Sequence, residues 1–160
     1  MGELIVELEK YLKENINKLN ECECLKKHSG YEKSLCNKLT KFTLDTNRYY
    51  DVVFKDKLKI EIKKGKSIWL DLIRYGEILL GEGEKNTITL FFIPNKNKNK
   101  FEKILLVKTA DLIKKLELKK EDYKKLLEVK SLVPRSLNAQ ASLTVKDIEE
   151  IAEIIKNETT

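Results

Sequence analysis

Regular alternation of apolar and charged residues over 58–64 limits the possible fold of this chain more than any other feature. The apolar members are Leu58, Ile60 and Ile62, and the charged members are Lys59, Glu61 and Lys63. Such alternation predicts a strand with one buried face. A second apolar-rich segment at 49–54 precedes it, and a short polar loop at 55–57 joins the two. The pattern therefore predicts an antiparallel hairpin.

The length of the loop decides which residues face each other in this hairpin. With a loop of three residues, paired positions have numbers that sum to 112, and the apolar side chains of both strands share one face. The other face then carries Asp51 opposite Glu61, with Lys63 one pair further along. A loop of two or four residues would place Asp51 opposite a buried isoleucine, so the apolar pattern favours the first register.

The order of the remaining segments predicts an α/β fold. A helix is expected between the third and fourth strands, and this crossover requires a mixed sheet, here of about five strands, with helices on both faces. We expect one domain over 1–160, with a core at about 1–108 and a C-terminal helical extension at about 109–160. The predicted strands are 42–44, 49–54, 58–64, 86–93 and 103–108, and the predicted helices are 3–20, 67–80, 110–117, 120–130 and 144–157. Segments 20–41 and 131–143 are expected to be irregular.

Charge and composition narrow the class of protein. The chain has 32 Lys+Arg against 26 Asp+Glu, a net charge of +6, which favours a polyanionic partner such as nucleic acid. No apolar run approaches the roughly 18 residues that span a bilayer, and no basic leader precedes an apolar stretch. Three cysteines, an odd number, do not suggest a secreted disulfide scaffold. We expect a cytoplasmic protein that does not bind membranes.

The facing carboxylates suggest a metal-binding catalytic site. Two carboxylates directly opposite on paired strands repel each other, unless one is protonated or a divalent cation binds between them. Mg²⁺ prefers one or two carboxylates with a carbonyl and waters, so Asp51, Glu61 and the backbone carbonyl of Ile62 are candidate ligands. Lys63 could then hold or deprotonate a water that attacks a phosphate. The simpler alternative is a solvated, charged strand face.

These residues resemble the PD-(D/E)xK nuclease superfamily, which includes restriction endonucleases and Holliday-junction resolvases. The resemblance rests on Asp51, then Glu61-Ile62-Lys63, within a helix, three-strand, helix, strand order over about 3–93; Tyr50 stands where the motif has proline. It implies a restriction-endonuclease-like core, with Asp51 and Glu61 binding Mg²⁺ (or Mn²⁺) and Lys63 as the catalytic lysine. Some members add a glutamate from the first helix, and here either Glu7 or Glu9 could be that residue.

The expected function is therefore that of a Mg²⁺-dependent DNA endonuclease, of restriction or defence type. Cutting both strands needs two active sites, so a homodimer is expected. The alternative is a non-catalytic module on the same fold that binds nucleic acid or another protein. Arg74 is expected on an exposed helix face, free for DNA or paired with Asp71, and Trp69 in the core. Candidate nucleic-acid contacts are Arg48, Lys64, Lys66, Arg74, Lys96 and Lys98.

The segment 20–41 holds a second candidate site. Its Cys22, Cys24, His28 and Cys36 could form a structural zinc site, although their spacing is not that of a standard zinc knuckle. Free cysteines in a reducing compartment are the simpler expectation.

Overall fold

The computed structural model describes residues 2–81, 83–84, 86–117, 121–122, 124–125, 128 and 140–158. Much of the helix expected at 120–130, and most of the irregular segment expected at 131–143, lie outside the described residues.

The described chain begins with helices, continues with four consecutive strands, and mixes helices and strands after that. The helices are α1 (Gly2–Glu14), α2 (Ile16–Asn20), α3 (Tyr31–Lys38), α4 (Leu72–Leu79), α5 (Thr109–Lys115) and α6 (Val145–Glu149). The strands are β1 (Phe42–Leu44), β2 (Val52–Phe54), β3 (Leu58–Lys64), β4 (Ile68–Asp71), β5 (Ile88–Pro94), β6 (Phe101–Lys108), β7 (Gln140–Leu143) and β8 (Glu153–Lys156). All five predicted strands are present.

The main sheet is mixed and has six strands in the order β1-β2-β3-β5-β6-β8. Only β3 and β5 are parallel, and α4 lies on the crossover between them, as the sequence predicts. Strands β4 and β7 form a separate two-stranded sheet. The α/β class and the mixed sheet flanked by helices are confirmed, with one strand more than expected.

The main sheet separates two apolar cores. Leu8, Leu12 and Leu35 from α1 and α3 pack on the face that carries Ile60 and Ile62. Residues from α4, α5 and α6 pack on the other face with Phe91 and Leu105 of the central strands. Every residue of β5 is buried, because this strand is covered by helices on both faces. The carboxyl ends of β3 and β5 therefore share one end of a rigid sheet.

The predicted helix at 67–80 is wrong over its first turn. Residues Ile68–Asp71 form β4, which pairs with β7, and the helix begins only at Leu72. Asp71 caps the helix, with its carboxylate accepting the Ile73 N–H at 2.9 Å. The placement of Trp69 in the core is also wrong, because in a strand its side chain points away from those of Ile68 and Leu70, and it is 54% exposed.

The predicted helix at 144–157 ends early. Thr144 caps it through a capping box with Asp147, but the helix stops at Glu149. Residues Glu153–Lys156 then form β8, which pairs with β6 and extends the main sheet. The region after residue 108 therefore contributes strands as well as helices, and the main sheet is not complete within 1–108.

Helix α3 lies in a segment expected to be irregular. No helix among the described residues is long and apolar enough to cross a membrane.

Candidate active site at the open end of the hairpin

The predicted register of the hairpin is confirmed where β2 and β3 pair regularly. Val52 pairs with Ile60, Val53 with Lys59, and Phe54 with Leu58, so the paired numbers sum to 112. This register sets Val52, Phe54, Leu58 and Ile60 in the core below the sheet. The side chain of Glu61 consequently points to the opposite face, towards α4.

Pairing becomes irregular at Asp51. Its N–H donates to the carbonyl of Ile60 at 2.9 Å, whereas the carbonyl of Tyr50 accepts from Asn47 in the preceding loop. The N–H of Ile62 therefore lacks a strand partner and donates to Oδ2 of Asp51 at 2.8 Å. The Asp51 carboxylate thus lies beside the backbone immediately after Glu61, although the two residues are not a regular cross-strand pair.

The backbone carbonyl of Ile62 is directed to the same edge. In a strand, the N–H and C=O of one residue point towards the same neighbouring strand. Since the Ile62 N–H is directed at Asp51, the Ile62 carbonyl also faces the edge where β2 has ended. This edge therefore presents two oxygen donors, a carboxylate and a carbonyl.

Glu61 is the centre of a compact charged cluster, which we call the Glu61 cluster: Glu61, Lys63, Arg74 and Tyr75. Only 3% of Glu61 is exposed. Its Oε1 accepts a hydrogen bond from Nη1 of Arg74 and lies 3.7 Å from Nζ of Lys63. Its Oε2 accepts from the Tyr75 hydroxyl at 3.3 Å. A buried carboxylate needs such partners, because an unpaired buried charge is strongly unfavourable.

Arg74 does not lie on an exposed helix face, and this prediction from the sequence is wrong. Asp71 caps α4 and accepts the backbone N–H of Arg74 at 3.3 Å, so the Arg74 guanidinium remains available for Glu61. The side chain of Arg74 is 28% exposed, yet its Nε is buried and has no hydrogen-bond partner among the described residues. The expected pairing with Asp71 is thus a backbone contact rather than an ion pair.

Burial raises the pKa of Asp51, and the hydrogen bond from Ile62 partly opposes this effect. The negative charge of Glu32 raises the pKa of Asp51 further, while Arg74 and Lys63 lower it. Glu32 is on α3 and is half-buried. The sequence does not indicate Glu32, because the pattern over 20–41 predicts no helix and the family resemblance implies an additional acid only from the first helix.

The two glutamates expected as an additional acid lie elsewhere. Glu7 pairs with Lys55 at 2.7 Å, at the turn end of the hairpin rather than at the open end where Asp51 lies. Glu9 pairs with Lys13 at 2.9 Å along α1. In this structure neither contacts Asp51 or the Glu61 cluster.

The oxygen donors at this edge suit a hard cation. Mg²⁺ is commonly held by one or two carboxylates with waters completing its shell, so Asp51 and the Ile62 carbonyl match its chemistry, and Glu61 is the adjacent residue on the same strand. The raised pKa of Asp51 shows a carboxylate whose charge is poorly stabilised by its surroundings, which a divalent cation would relieve. No group of three or more His, Cys, Asp or Glu side chains in the described part of the chain could hold a metal. A cation here would therefore depend on backbone oxygen and water as well.

The predicted nucleic-acid contacts fall into two groups. Lys66, Lys96 and Lys98 are exposed, and they follow the carboxyl ends of the parallel strands β3 and β5 at one end of the sheet. Burial lowers the pKa of Lys64, and the charge of Lys98 lowers it further.

Lys64 and Arg48 are engaged within the protein. The ammonium of Lys64 donates to the carbonyls of Cys24, Leu25 and Lys27. The Arg48 guanidinium makes two hydrogen bonds to Glu77, of 2.6 and 2.5 Å. Their role as DNA contacts stays a prediction, and it requires that these bonds be exchanged.

The four candidate zinc ligands are not brought together. Cys22 and Cys24 are paired with each other as a disulfide, in contrast to the free cysteines expected. Cys36 is a separate, half-buried thiol, and burial raises its pKa to about 11. His28 is exposed. The paired sulfurs link residues two apart and stabilise only the local turn.

No known protein-family model matches the chain, and no curated protein is significantly similar to it in sequence.

Proposed function

We propose that the protein is a divalent-metal-dependent DNA endonuclease that acts at the open end of the β2–β3 hairpin. One observation carries the proposal: the Asp51 carboxylate accepts the N–H of Ile62, the residue that follows Glu61, and the ammonium of Lys63 lies 3.7 Å from Glu61. Two acids, a backbone carbonyl and a lysine at adjoining positions of one hairpin are groups suited to metal-assisted phosphodiester hydrolysis.

Each residue has a distinct role in this proposal. Asp51 and Glu61 hold Mg²⁺ or Mn²⁺ together with the Ile62 carbonyl, and the ion supplies charge neutralisation at the phosphate. Lys63 extends from the same strand as Glu61, so its ammonium can orient the attacking water. The exposed Lys66, Lys96 and Lys98 bind the phosphate backbone on either side.

The element order supports the same proposal. A three-strand meander, a helix and a strand parallel to the third strand are all present. This order, with Asp51 directly before the second strand and Glu61-Ile62-Lys63 on the third, resembles the PD-(D/E)xK core. We further propose a restriction or defence role, action in the cytoplasm and a homodimer, since cleavage of both strands needs two sites.

A second candidate function is a non-catalytic module that binds nucleic acid or another protein. The contact between Arg74 and Glu61 favours it, because the buried carboxylate is already neutralised without a metal ion. In that case the Glu61 cluster stabilises the fold and has no chemical role.

Cleavage assays separate the two functions. Plasmid, single-stranded and branched DNA are incubated with the protein in Mg²⁺ or Mn²⁺, beside Lys63→Ala. Lys59→Ala is the matched control, because Lys59 lies on the same face of β3 but pairs with Glu84 at 2.6 Å. We expect cleavage by the wild type and by Lys59→Ala, and loss of cleavage in Lys63→Ala. Absence of cleavage of every substrate in both ions would contradict the endonuclease proposal.

Metal binding is tested independently by melting. A cation that binds only the folded protein stabilises it by mass action, by about 2.7 kcal/mol at a concentration 100 times its Kd. We expect Mg²⁺ or Mn²⁺ to raise the melting temperature of the wild type and of Lys63→Ala, but not of Asp51→Asn. An equal rise in Asp51→Asn would show that the ion binds elsewhere.

A further inference from the structure

We propose that Arg74 is a substrate-binding residue that pairs with Glu61 in the metal-free protein. A divalent cation displaces Arg74 from Glu61, and Arg74 then binds a phosphate of the nucleic acid. The proposal rests on the function proposed above, since it concerns the same carboxylate. In this proposal Arg74 neutralises Glu61 when no metal is bound, and it contacts the DNA when metal is bound.

The contact between Arg74 and Glu61 competes with metal binding. Nη1 of Arg74 donates to Oε1 of Glu61, the same oxygen that faces Lys63. A divalent cation bound to that oxygen would lie against a guanidinium, and like charges at such a distance repel. Binding of the cation therefore requires the guanidinium to withdraw.

The guanidinium is incompletely satisfied where it now lies. Arginine carries five N–H donors, and Nε of Arg74 is buried without a partner among the described residues. The side chain also reaches solvent, with 28% exposed. Withdrawal from Glu61 would therefore let water reach the unpaired Nε. It would also expose a guanidinium that is already close to the surface.

Only the side chain has to move. Asp71 caps α4 and holds the backbone N–H groups of Ile73 and Arg74, and the neighbouring Tyr75 is buried with its hydroxyl on Glu61. The base of the Arg74 side chain is thus fixed, and its reach is confined to the surroundings of Glu61.

A phosphate is the ligand that a displaced guanidinium would bind there. The planar fork of arginine matches two phosphate oxygens, and a nucleic-acid phosphate would be neutralised by the cation and by Arg74 together. The exposed Lys66 and Lys98 lie at the same end of the sheet and favour a polyanion. Arg74 therefore contributes to DNA binding only after Glu61 has been released.

The test compares Arg74→Gln with the wild type by Mn²⁺ titration, followed by electron paramagnetic resonance in the absence of DNA. Removal of the competing guanidinium is expected to tighten Mn²⁺ binding about tenfold, within the usual range of coupling between sites. A purely structural arginine would leave the affinity unchanged or weaken it when removed. Arg48→Gln is the matched control, because Arg48 also pairs with a carboxylate, Glu77, but away from Glu61; its Mn²⁺ affinity should equal that of the wild type.

DNA affinity gives the second measurement. Fluorescence anisotropy with a phosphorothioate duplex, which resists cleavage, is recorded in EDTA and in Mn²⁺. Arg74→Gln is expected to match the wild type in EDTA, where Arg74 is held by Glu61, and to bind DNA several-fold more weakly in Mn²⁺. Equal losses in both conditions would overturn the exchange, since they would show Arg74 contacting DNA while it still holds Glu61.

The outcomes distinguish this inference from the proposed function. Mn²⁺ affinity that is unchanged or weaker in Arg74→Gln overturns the role of Arg74 and leaves the metal site intact. Absence of Mn²⁺ binding in every variant, together with absence of cleavage, overturns the proposed function itself. If circular dichroism shows that Arg74→Gln does not fold, Arg74→Lys replaces it; the shorter lysine should still tighten Mn²⁺ binding, and no change in that variant overturns the inference.

Discussion

Replacement of Arg74 by methionine is expected to destabilise the metal-free protein by about 2–3 kcal/mol. Removing one partner of a buried ion pair typically costs about 3–5 kcal/mol, because the other charge stays buried and unpaired. Glu61 is almost wholly buried, which favours the upper end of that range. Lys63 and Tyr75 remain near its carboxylate, however, and Arg74 is 28% exposed, so the cost is reduced.

A double-mutant cycle isolates the pair. Glu61→Gln and Arg74→Met are made singly and together, and their free energies of unfolding are measured by urea denaturation without divalent ions, followed by circular dichroism. The double variant buries no unpaired charge at this point, so it should lose about 1–2 kcal/mol less than the sum of the single variants. At about 2–4 °C per kcal/mol for a chain of this size, Arg74→Met alone should melt about 4–12 °C below the wild type.

The exposed pair between Lys115 and Glu150 gives the comparison. Their side chains are 29% and 56% exposed, and the same cycle there should give a coupling below about 1 kcal/mol. Additive losses at Glu61 and Arg74, within about 0.5 kcal/mol, would refute the reasoning, because they would mean that the buried contact contributes no interaction energy.

Three further predictions concern other residues. Because burial raises the pKa of Asp51, its contribution to stability is fully present below the ordinary aspartate pKa and is lost as pH rises through the raised pKa. The amide oxygen of Asp51→Asn can still accept the Ile62 N–H, so this variant should lose less stability than the wild type between pH 4 and 8. Urea titrations measure the free energy of unfolding at each pH, and parallel curves for the two proteins would contradict the prediction. Gly83→Ala would place Cβ 2.6 Å from the Tyr49 ring and should lower the free energy of unfolding by about 1–3 kcal/mol. Part of this loss should be recovered in a Tyr49→Leu background, whereas an unchanged melting temperature of Gly83→Ala would show that the ring moves freely. The Cys36 thiol, with its pKa raised to about 11, should react with iodoacetamide at pH 8 roughly 100-fold more slowly in the folded protein than in urea, and similar rates would show that it is not buried.

The hairpin was predictable because its information is local. The alternating pattern over 58–64 and the three-residue loop fix the pairing of Val52 with Ile60 without knowledge of the rest of the chain. The same holds for β5, where an unbroken apolar run indicates burial on both faces. The sequence also places Asp51 and Glu61 near each other, although it does not reveal that the Asp51 carboxylate replaces a strand partner for Ile62.

Elements that depend on distant partners were not predictable from local pattern. Residues 68–71 have the apolar spacing of a helix start, but they form β4 because β7, far along the chain, pairs with them. Residues 153–156 likewise continue a helical pattern, yet they pair with β6. Tertiary pairing overrides local propensity in both cases.

The partners of the site residues were equally hidden. Helical periodicity places Arg74 on the polar side of α4 but does not show that this side contacts a buried glutamate of the sheet. The position of Glu32 near the site was not predictable, because the cysteine-rich segment before the sheet has no clear helical pattern. Long-range charge contacts of this kind require the fold to be known first.

The exposed position of Trp69 determines how unfolding of this protein can be observed. It is the only tryptophan in the chain, and its indole already meets water in the folded state. The emission maximum of the native protein should therefore be close to that of the denatured chain. Tryptophan emission would then change little as the protein unfolds. The same indole is a sensitive optical reporter for anything that docks on the small β4–β7 sheet.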